Sequence, residues 1–127
     1  MDTQILGSDY DVLAPDGSEI RLLPQTARGS MVHCTLQPGQ TSKAVKHRTV
    51  EEIWYVPDGR GEIWRKQGVD EKIVGVEPDT SITIRTGAHF QFRNTGEKPF
   101  EAIIVTMPPW PGDHEAEIVE GKWAGSE

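Results

Sequence analysis

The sequence predicts an all-β domain, a sandwich or a small antiparallel barrel with few short helices. Turn-forming residues recur at short intervals, and the segments between them have the length of strands. No segment sustains the i, i+3, i+4, i+7 apolar spacing of an amphipathic helix over eleven residues. A chain of 127 residues has the length of one domain and can bury an apolar core without disulfides.

The turns are marked by glycine, proline, asparagine and aspartate. Glycine supplies positive φ, proline fixes φ, and Asn or Asp tolerates the left-handed region. Such residues predict turns at positions 15–17, 38–39, 57–59, 78–79, 94–96 and 108–109. This spacing leaves room for short strands throughout the chain.

The elements follow in chain order. Residues 1–14 are predicted to lead into the fold and to end in an edge strand, and residues 42–48 to form a strand. Residues 53–64 are interpreted as a β-hairpin with Asp58 and Gly59 at its tip. Residues 81–85 and 90–93 alternate polar and apolar side chains, which is typical of a sheet with one buried face.

The whole chain, residues 1–127, is interpreted as a single domain whose core spans about residues 29–107. The tail, residues 108–127, is expected to cover one rim of the core. Trp110 and Trp123 would pack there. We find no internal repeat and no linker that would divide the chain.

Composition excludes several classes of function. The net charge of −7, from 13 basic and 20 acidic residues, opposes binding to nucleic acid and to anionic membranes. The longest apolar run, residues 102–105, is far below the roughly 20 residues of a membrane span. Residues 1–4 lack the features of a secretory signal, and the single Cys34, expected in the core, fits a reducing compartment. The sequence therefore predicts a cytoplasmic protein.

One motif contains candidate metal-binding or catalytic residues. Gly39 is followed by five residues and then Val45, and His47 by four residues and then Glu52, with Gly59 after six more. This spacing resembles the first signature of the cupin family, which is Gly, five residues, His-x-His, three or four residues, Glu, six residues, Gly. Val45 stands where the first histidine of that signature belongs, and valine cannot bind a metal.

The second cupin signature is Gly, five residues, Pro-x-Gly, two residues, His, three residues, Asn. Gly87 and Asn94 match it, whereas Asp79, Arg85 and Phe90 stand at its first glycine, its proline and its histidine. Both departures at metal-ligand positions, in the first and second motifs, are apolar.

A histidine does lie one place away, at His89. A shift of one residue reverses the direction of a strand side chain unless a bulge absorbs it. Without a bulge, Phe90 and Phe92 point inward while His89 and Gln91 face away. With a bulge near residues 87–88, His89 and Gln91 turn inward, and both models stay open from the sequence.

Alternation places Val45 and His47 on one face of a strand, and Glu52 and Trp54 on one face of the next. A histidine–carboxylate pair suits Zn, Mn, Fe or Ni, although two protein ligands are too few for a tight site. One hypothesis makes His47, Glu52 and His89 metal ligands. The alternative gives Glu52 an arginine partner, Arg48 or Arg60, and makes His47 a hydrogen-bonded structural residue.

The resemblance implies a single-domain cupin, a small antiparallel jelly-roll β-barrel that usually forms homodimers and acts on a small molecule. It implies a divalent-metal enzyme of dioxygenase, isomerase, epimerase or decarboxylase type, in which Val45, Trp54, Phe90 and Gln91 line the substrate pocket. Two further hypotheses need no metal. One is a binding module for a small apolar or sugar-like ligand, and the other is a cofactorless enzyme that uses Glu52 or His47 as a general base.

Overall fold

The computed structural model describes residues 1–126. That part of the chain contains eleven β-strands and a single turn of 3₁₀ helix, Asp113–Glu115. The strands are β1 Val12–Leu13, β2 Glu19–Gln25, β3 Ser30–Leu36, β4 Val45–His47, β5 Glu51–Asp58, β6 Gly61–Gln67, β7 Asp70–Val76, β8 Ser81–Ile84, β9 His89–Asn94, β10 Phe100–Met107 and β11 Ala116–Ile118. The all-β prediction is therefore confirmed.

The strands form two antiparallel sheets. One has six strands in the order β1-β2-β3-β10-β5-β8, and the other has five in the order β11-β4-β9-β6-β7. Neither sheet closes on itself within residues 1–126, so a closed barrel is not confirmed, although the arrangement is consistent with a jelly roll. The described residues include no helix with the length and hydropathy needed to cross a membrane.

The core lies between the two sheets, because side chains alternate along each strand between the inner face and the outer face. In β5 every second residue is buried, beginning with Glu52, and β10 alternates in the same way from Phe100 to Thr106. The buried apolar side chains of both sheets form one cluster. Cys34 is 1% exposed and belongs to this cluster, as predicted.

The hairpin predicted across residues 53–64 is wrong. β5 pairs with β10 and β8, whereas β6 pairs with β9 and β7, so the Asp-Gly turn carries the chain from one sheet to the other. The hairpin forms one strand later, where β6 and β7 pair around Gly68, whose φ is +61°. Strand length and turn type are local properties, but the partner of a strand is decided by the whole fold.

Two residues of the family signatures have backbone roles. Gly59 has φ +88°, and a Cβ there would lie 2.6 Å from the Cα of Phe100 and from the carbonyl oxygen of Pro99. Asp79, at the first glycine of the second signature, has φ +76° and is the one non-glycine residue with positive φ among residues 1–126. Asp79 therefore supplies a left-handed conformation at this turn, which aspartate tolerates better than most residues.

Candidate functional site

A cavity of about 220 Å³ lies between the two sheets. Its walls are largely apolar and include one aromatic or aliphatic side chain from each of several strands and from the tail: Val45, Trp54, Phe90, Ile104 and Trp110. Its polar lining includes Asp16, Ser18, Ser30, His47, Glu52 and Thr106. Five of the candidate site residues from the sequence analysis thus line the cavity: Val45, His47, Glu52, Trp54 and Phe90.

Glu52 is held by two neighbours. The indole Nε1 of Trp54 donates a hydrogen bond to Oε1 at 3.0 Å, and the hydroxyl of Thr106 donates to Oε2 at 2.6 Å. Both neighbours follow from strand geometry, because Trp54 lies two residues along the same face and Thr106 lies directly opposite in β10. Burial raises the pKa of Glu52 to about 7, although the two hydrogen bonds act in the other direction. Neutral pH therefore populates both its acid and its base form.

His47 faces Glu52 from the opposite sheet. Its ring meets Phe90 and Trp110 edge-on, with centroids 5.2 Å apart in both cases. Its Nδ1 is buried, has no hydrogen-bond partner, and lies 4.0 Å from Oε1 of Glu52. Burial lowers the pKa of His47 to about 4, against an opposing effect of the Glu115 charge. Near pH 7 His47 is therefore neutral and Glu52 is partly ionised, and 4.0 Å is too long for a direct hydrogen bond between them.

The arginines that the sequence offered as partners of Glu52 bind elsewhere. Arg48 forms an ion pair with Glu117 at 2.9 Å, and Arg60 pairs with Glu77 at 2.6 Å. Arg48, Arg60 and Glu77 are largely exposed, and Glu117 is partly exposed. Glu52 therefore has no cationic partner among the described residues.

The register of β9 follows the model without a bulge. β6 and β9 pair continuously from Gly61 opposite Asn94 to Lys66 opposite His89. Phe90 consequently lines the cavity, whereas His89 and Gln91 do not. The period of two in a strand, unbroken by a bulge, separates His89 from His47 and Glu52.

Gln91 is buried on the other face of β9, where it fastens the tail. Its side-chain nitrogen donates to the carbonyl oxygens of Ser42 and Trp123 at 2.8 Å. Its side-chain oxygen accepts from the backbone nitrogens of Lys122 and Trp123 at 2.9 Å. With all of these partners in the protein itself, Gln91 acts as a structural clamp and does not line this cavity.

Sequence reasoning missed Asp16 and treated it only as a turn residue. It lies in the turn between β1 and β2, and its Oδ1 accepts hydrogen bonds from the backbone nitrogen and the hydroxyl of Ser18 at 2.9 and 2.7 Å. Burial raises the pKa of Asp16, against the effect of these hydrogen bonds. No motif in the sequence indicates that this turn faces the cavity, because the approach depends on the packing of β2 beside β3.

The donor set can be tested against the metal that the family resemblance implies. Residues 1–126 contain no group of three His, Cys, Asp or Glu side chains that could hold a metal ion. His47 and Glu52 supply two donors, fewer than the three or four of a tight site, and both oxygens of Glu52 already accept hydrogen bonds. At the two other positions where the family signatures have histidine, this chain has the carbon side chains of Val45 and Phe90. The residues present therefore do not fit a tight first-row metal site.

Among known proteins, the chain is 29% identical over 126 residues to an uncharacterized protein of Methanocaldococcus jannaschii, covering 92% of this chain and 97% of that protein. Solved structures with the same fold include an uncharacterized double-stranded β-helix protein of Klebsiella pneumoniae, with a TM-score of 0.69, 19% identity, and coverage of 88% of this chain and 87% of that one.

Two further structures carry more specific descriptions. A predicted oxalate decarboxylase of Thermotoga maritima has a TM-score of 0.68 and 18% identity, covering 83% of this chain and 99% of that one. A Streptomyces protein solved with uridine has a TM-score of 0.71 and 11% identity, covering 94% and 92%. Likeness at these identities shows the fold alone.

The family itself is given by a sequence comparison. The model that describes the cupin domain matches residues 32–106, which contain both signatures and the strands that carry His47, Glu52, Trp54 and Phe90. The two facing antiparallel sheets and the solved relatives agree with this match. The chain therefore belongs to the cupin domain family.

Proposed function

We propose that the protein is a small-molecule enzyme in which Glu52 transfers a proton without the help of a metal. The observation that carries the proposal is the position of this carboxyl group, buried at the cavity and held by two neutral donors. A general acid or base works best when its pKa is near the working pH, and burial brings the pKa of Glu52 to about 7. Shifted pKa values cluster at functional sites, because catalytic acids and bases need a pKa that is matched to their task.

His47 complements Glu52 in this proposal. Its neutral imidazole has an unpaired buried nitrogen that faces the same space as the carboxyl group. A substrate hydroxyl or carbonyl between the two side chains would give Nδ1 the partner that it lacks. His47 would then orient the substrate while Glu52 gives or takes the proton. The apolar walls formed by Trp54, Phe90 and Val45 would exclude water and keep the pKa of Glu52 high.

A second candidate is a metal-free binding module, which the apolar lining supports. A structural neighbour of the same fold was solved with uridine, so a small ligand in this type of fold has a precedent. We also propose a homodimer, which the family resemblance implies, and a cytoplasmic location, which the single cysteine fits. The hypothesis of a metal-dependent decarboxylase or dioxygenase has less support, because His47 and Glu52 supply fewer protein ligands than a tight metal site needs.

The test uses 5-nitrobenzisoxazole, whose ring opens when a base removes one proton. We expect the wild-type rate to rise with pH around an apparent pKa of about 7, because the ionised form of Glu52 is the base. Glu52→Gln should lose roughly a hundredfold or more of the rate above solution. Glu62→Gln, a change in a partly exposed carboxyl group of β6, is the matched control and should keep the full rate.

Metal is tested in the same assay. Protein treated with a chelator and protein reloaded with Mn, Fe, Ni or Zn should show equal rates. A rate that Glu52→Gln leaves intact would contradict the proposal. A rate that appears only after loading with one metal, with stoichiometric metal by elemental analysis, would favour the metalloenzyme. Ligand binding without any rate would favour the binding module.

A further inference from the structure

We infer that this cavity selects neutral or cationic small molecules with a flat apolar body and rejects carboxylates and phosphates. The inference rests on the proposed function, because it names the substrate class of the same site. It stands on the charges that line the cavity, on its walls, and on the polar atoms that point into it. None of these features depends on which reaction takes place there.

The first step is the charge of the lining. The ionisable residues that line the cavity are Asp16, His47, Glu52 and Asp113, and no lysine or arginine among residues 1–126 lines it. His47 is neutral near pH 7, since its pKa is about 4. Every charge that the lining can carry at that pH is therefore negative. The basic side chains on either side of His47 in the chain, Lys46 and Arg48, are paired with Glu117.

The second step is what such a lining does to a ligand. A carboxylate or phosphate entering the cavity would lose its water and gain no cationic partner. It would also meet Asp16 and Glu52 across a medium that screens charge poorly. An ammonium group would meet two acceptors instead, and a hydroxyl group could donate to one of them. Clefts lined by one sign of charge concentrate ligands of the opposite sign.

The third step is the shape and polarity of the walls. Trp54, Phe90 and Trp110 contribute aromatic surface from both sheets and from the tail. Flat apolar groups pack well on such rings, and a nearby cation gains further from the ring faces. His47 is 4% exposed, and its buried Nδ1 has no hydrogen-bond partner in the protein. The walls thus suit an apolar body that bears a hydroxyl or amino group.

The experiment compares three ligands that share one ring and differ in charge: benzylamine, benzyl alcohol and benzoate. Binding to the full chain is measured by titration calorimetry and by chemical-shift changes at about pH 8, where benzylamine is cationic and benzoate is anionic. We expect benzylamine and benzyl alcohol to bind at least tenfold more tightly than benzoate. Equal or tighter binding of benzoate would overturn the inference, and so would the absence of binding by both other ligands.

Variants test which residue of the lining is responsible for the preference among the three ligands. Asp16→Asn keeps an oxygen that can accept from Ser18, and we expect it to narrow the preference for benzylamine over benzoate severalfold. Asp70→Asn, an exposed change in β7, is the matched control and should leave the preference unchanged. Thermal unfolding of each variant shows whether it is folded. If Asp16→Asn does not fold, the ligand series on wild type still decides.

The two proposals fail in different ways. If Glu52→Gln keeps the rate with 5-nitrobenzisoxazole while benzoate is still rejected, the acid–base proposal fails and the selectivity stands. If benzoate binds as tightly as benzyl alcohol while the rate still depends on Glu52, the selectivity fails and the acid–base proposal stands.

Discussion

Two buried glutamates of this molecule behave in opposite ways. Glu52 is 7% exposed and Glu115 is 2% exposed, yet the pKa of Glu52 is raised and that of Glu115 is lowered. Glu52 lines the cavity and accepts two hydrogen bonds, one from Trp54 and one from Thr106. Glu52 lies deeper in the protein than Glu115, and the donors around the two carboxylates also differ, so depth and donors together separate them.

Glu115 lies in the 3₁₀ turn beside β4. Burial would raise its pKa, but the hydroxyl and backbone N–H of Thr49 and the backbone N–H of Val50 donate to it and outweigh that effect. A carboxylate that accepts several N–H bonds stays ionised even when buried. Its own backbone oxygen accepts from the nitrogen of Arg48 at 3.0 Å, next to His47. Glu115 thus anchors the chain beside the histidine, whereas Glu52 has fewer donors and lines the cavity.

The largest expected effect removes the satisfied glutamate. Glu115→Ala would leave two backbone N–H groups and one hydroxyl without their partner, so we expect the free energy of unfolding to fall by about 3 kcal/mol. Urea denaturation at neutral pH measures it. Glu117→Ala, which removes only exposed ion pairs, should change it by less than about 1 kcal/mol. Equal effects of the two changes would break the comparison.

The same contribution depends on pH. Because the pKa of Glu115 is lower in the folded protein than its ordinary value of 4.5, its stabilisation is present above that value. It is lost as the pH falls through the folded-state pKa. The difference between wild type and Glu115→Ala should therefore shrink in acid.

The second prediction concerns His47 and Glu52 together. Glu52 has its pKa raised from 4.5 to about 7, so its stabilisation is complete below pH 4.5 and disappears as the pH rises through 7. His47 has its pKa lowered from 6.5 to about 4, so its stabilisation is complete above pH 6.5 and disappears as the pH falls through 4. Between these limits the two contributions oppose each other, and the wild-type curve should be nearly flat for this pair.

Single variants should expose each contribution. Relative to wild type, the unfolding free energy of Glu52→Gln should rise by about 3 kcal/mol as the pH increases from 4.5 to 7. Relative to wild type, that of His47→Gln should fall by a similar amount as the pH increases from 4 to 6.5. Urea unfolding at several pH values measures both. Curves that run parallel to wild type would show that neither group is shifted by burial.

The smallest expected effect is in the tail. A Cβ on Gly121 would lie 2.4 Å from the side-chain oxygen of Gln91 and 2.6 Å from the Cβ of Ala44. We therefore expect Gly121→Ala to lower the free energy of unfolding by about 1–2 kcal/mol. Gly75→Ala is the control, because nothing lies within 4 Å of the added Cβ. If thermal unfolding shows the same loss of stability for both variants, the hydrogen bonds of Gln91 do not hold the tail in place.

Much of the site could be predicted because it obeys the period of a strand. Val45 with His47, and Glu52 with Trp54, lie on common faces of neighbouring strands, and spacing along the chain is enough to find them. Asp16, Thr106 and Trp110 could not be found in this way. Each reaches the cavity from a distant part of the chain, and no local pattern encodes that approach.

The sequence by itself determined the all-β class, the positions of most turns, and the presence of Val45 and Phe90 at positions where the two family signatures have histidine, because these depend on local residue types and spacing. The tertiary structure decided the strand partners, including the crossing at Gly59 between sheets. It also decided that the unbroken register of β9 leaves His89 away from the cavity. Finally, it placed Glu52 deep between the sheets with two donors and Glu115 nearer the surface with three, which raises the pKa of the first and lowers that of the second.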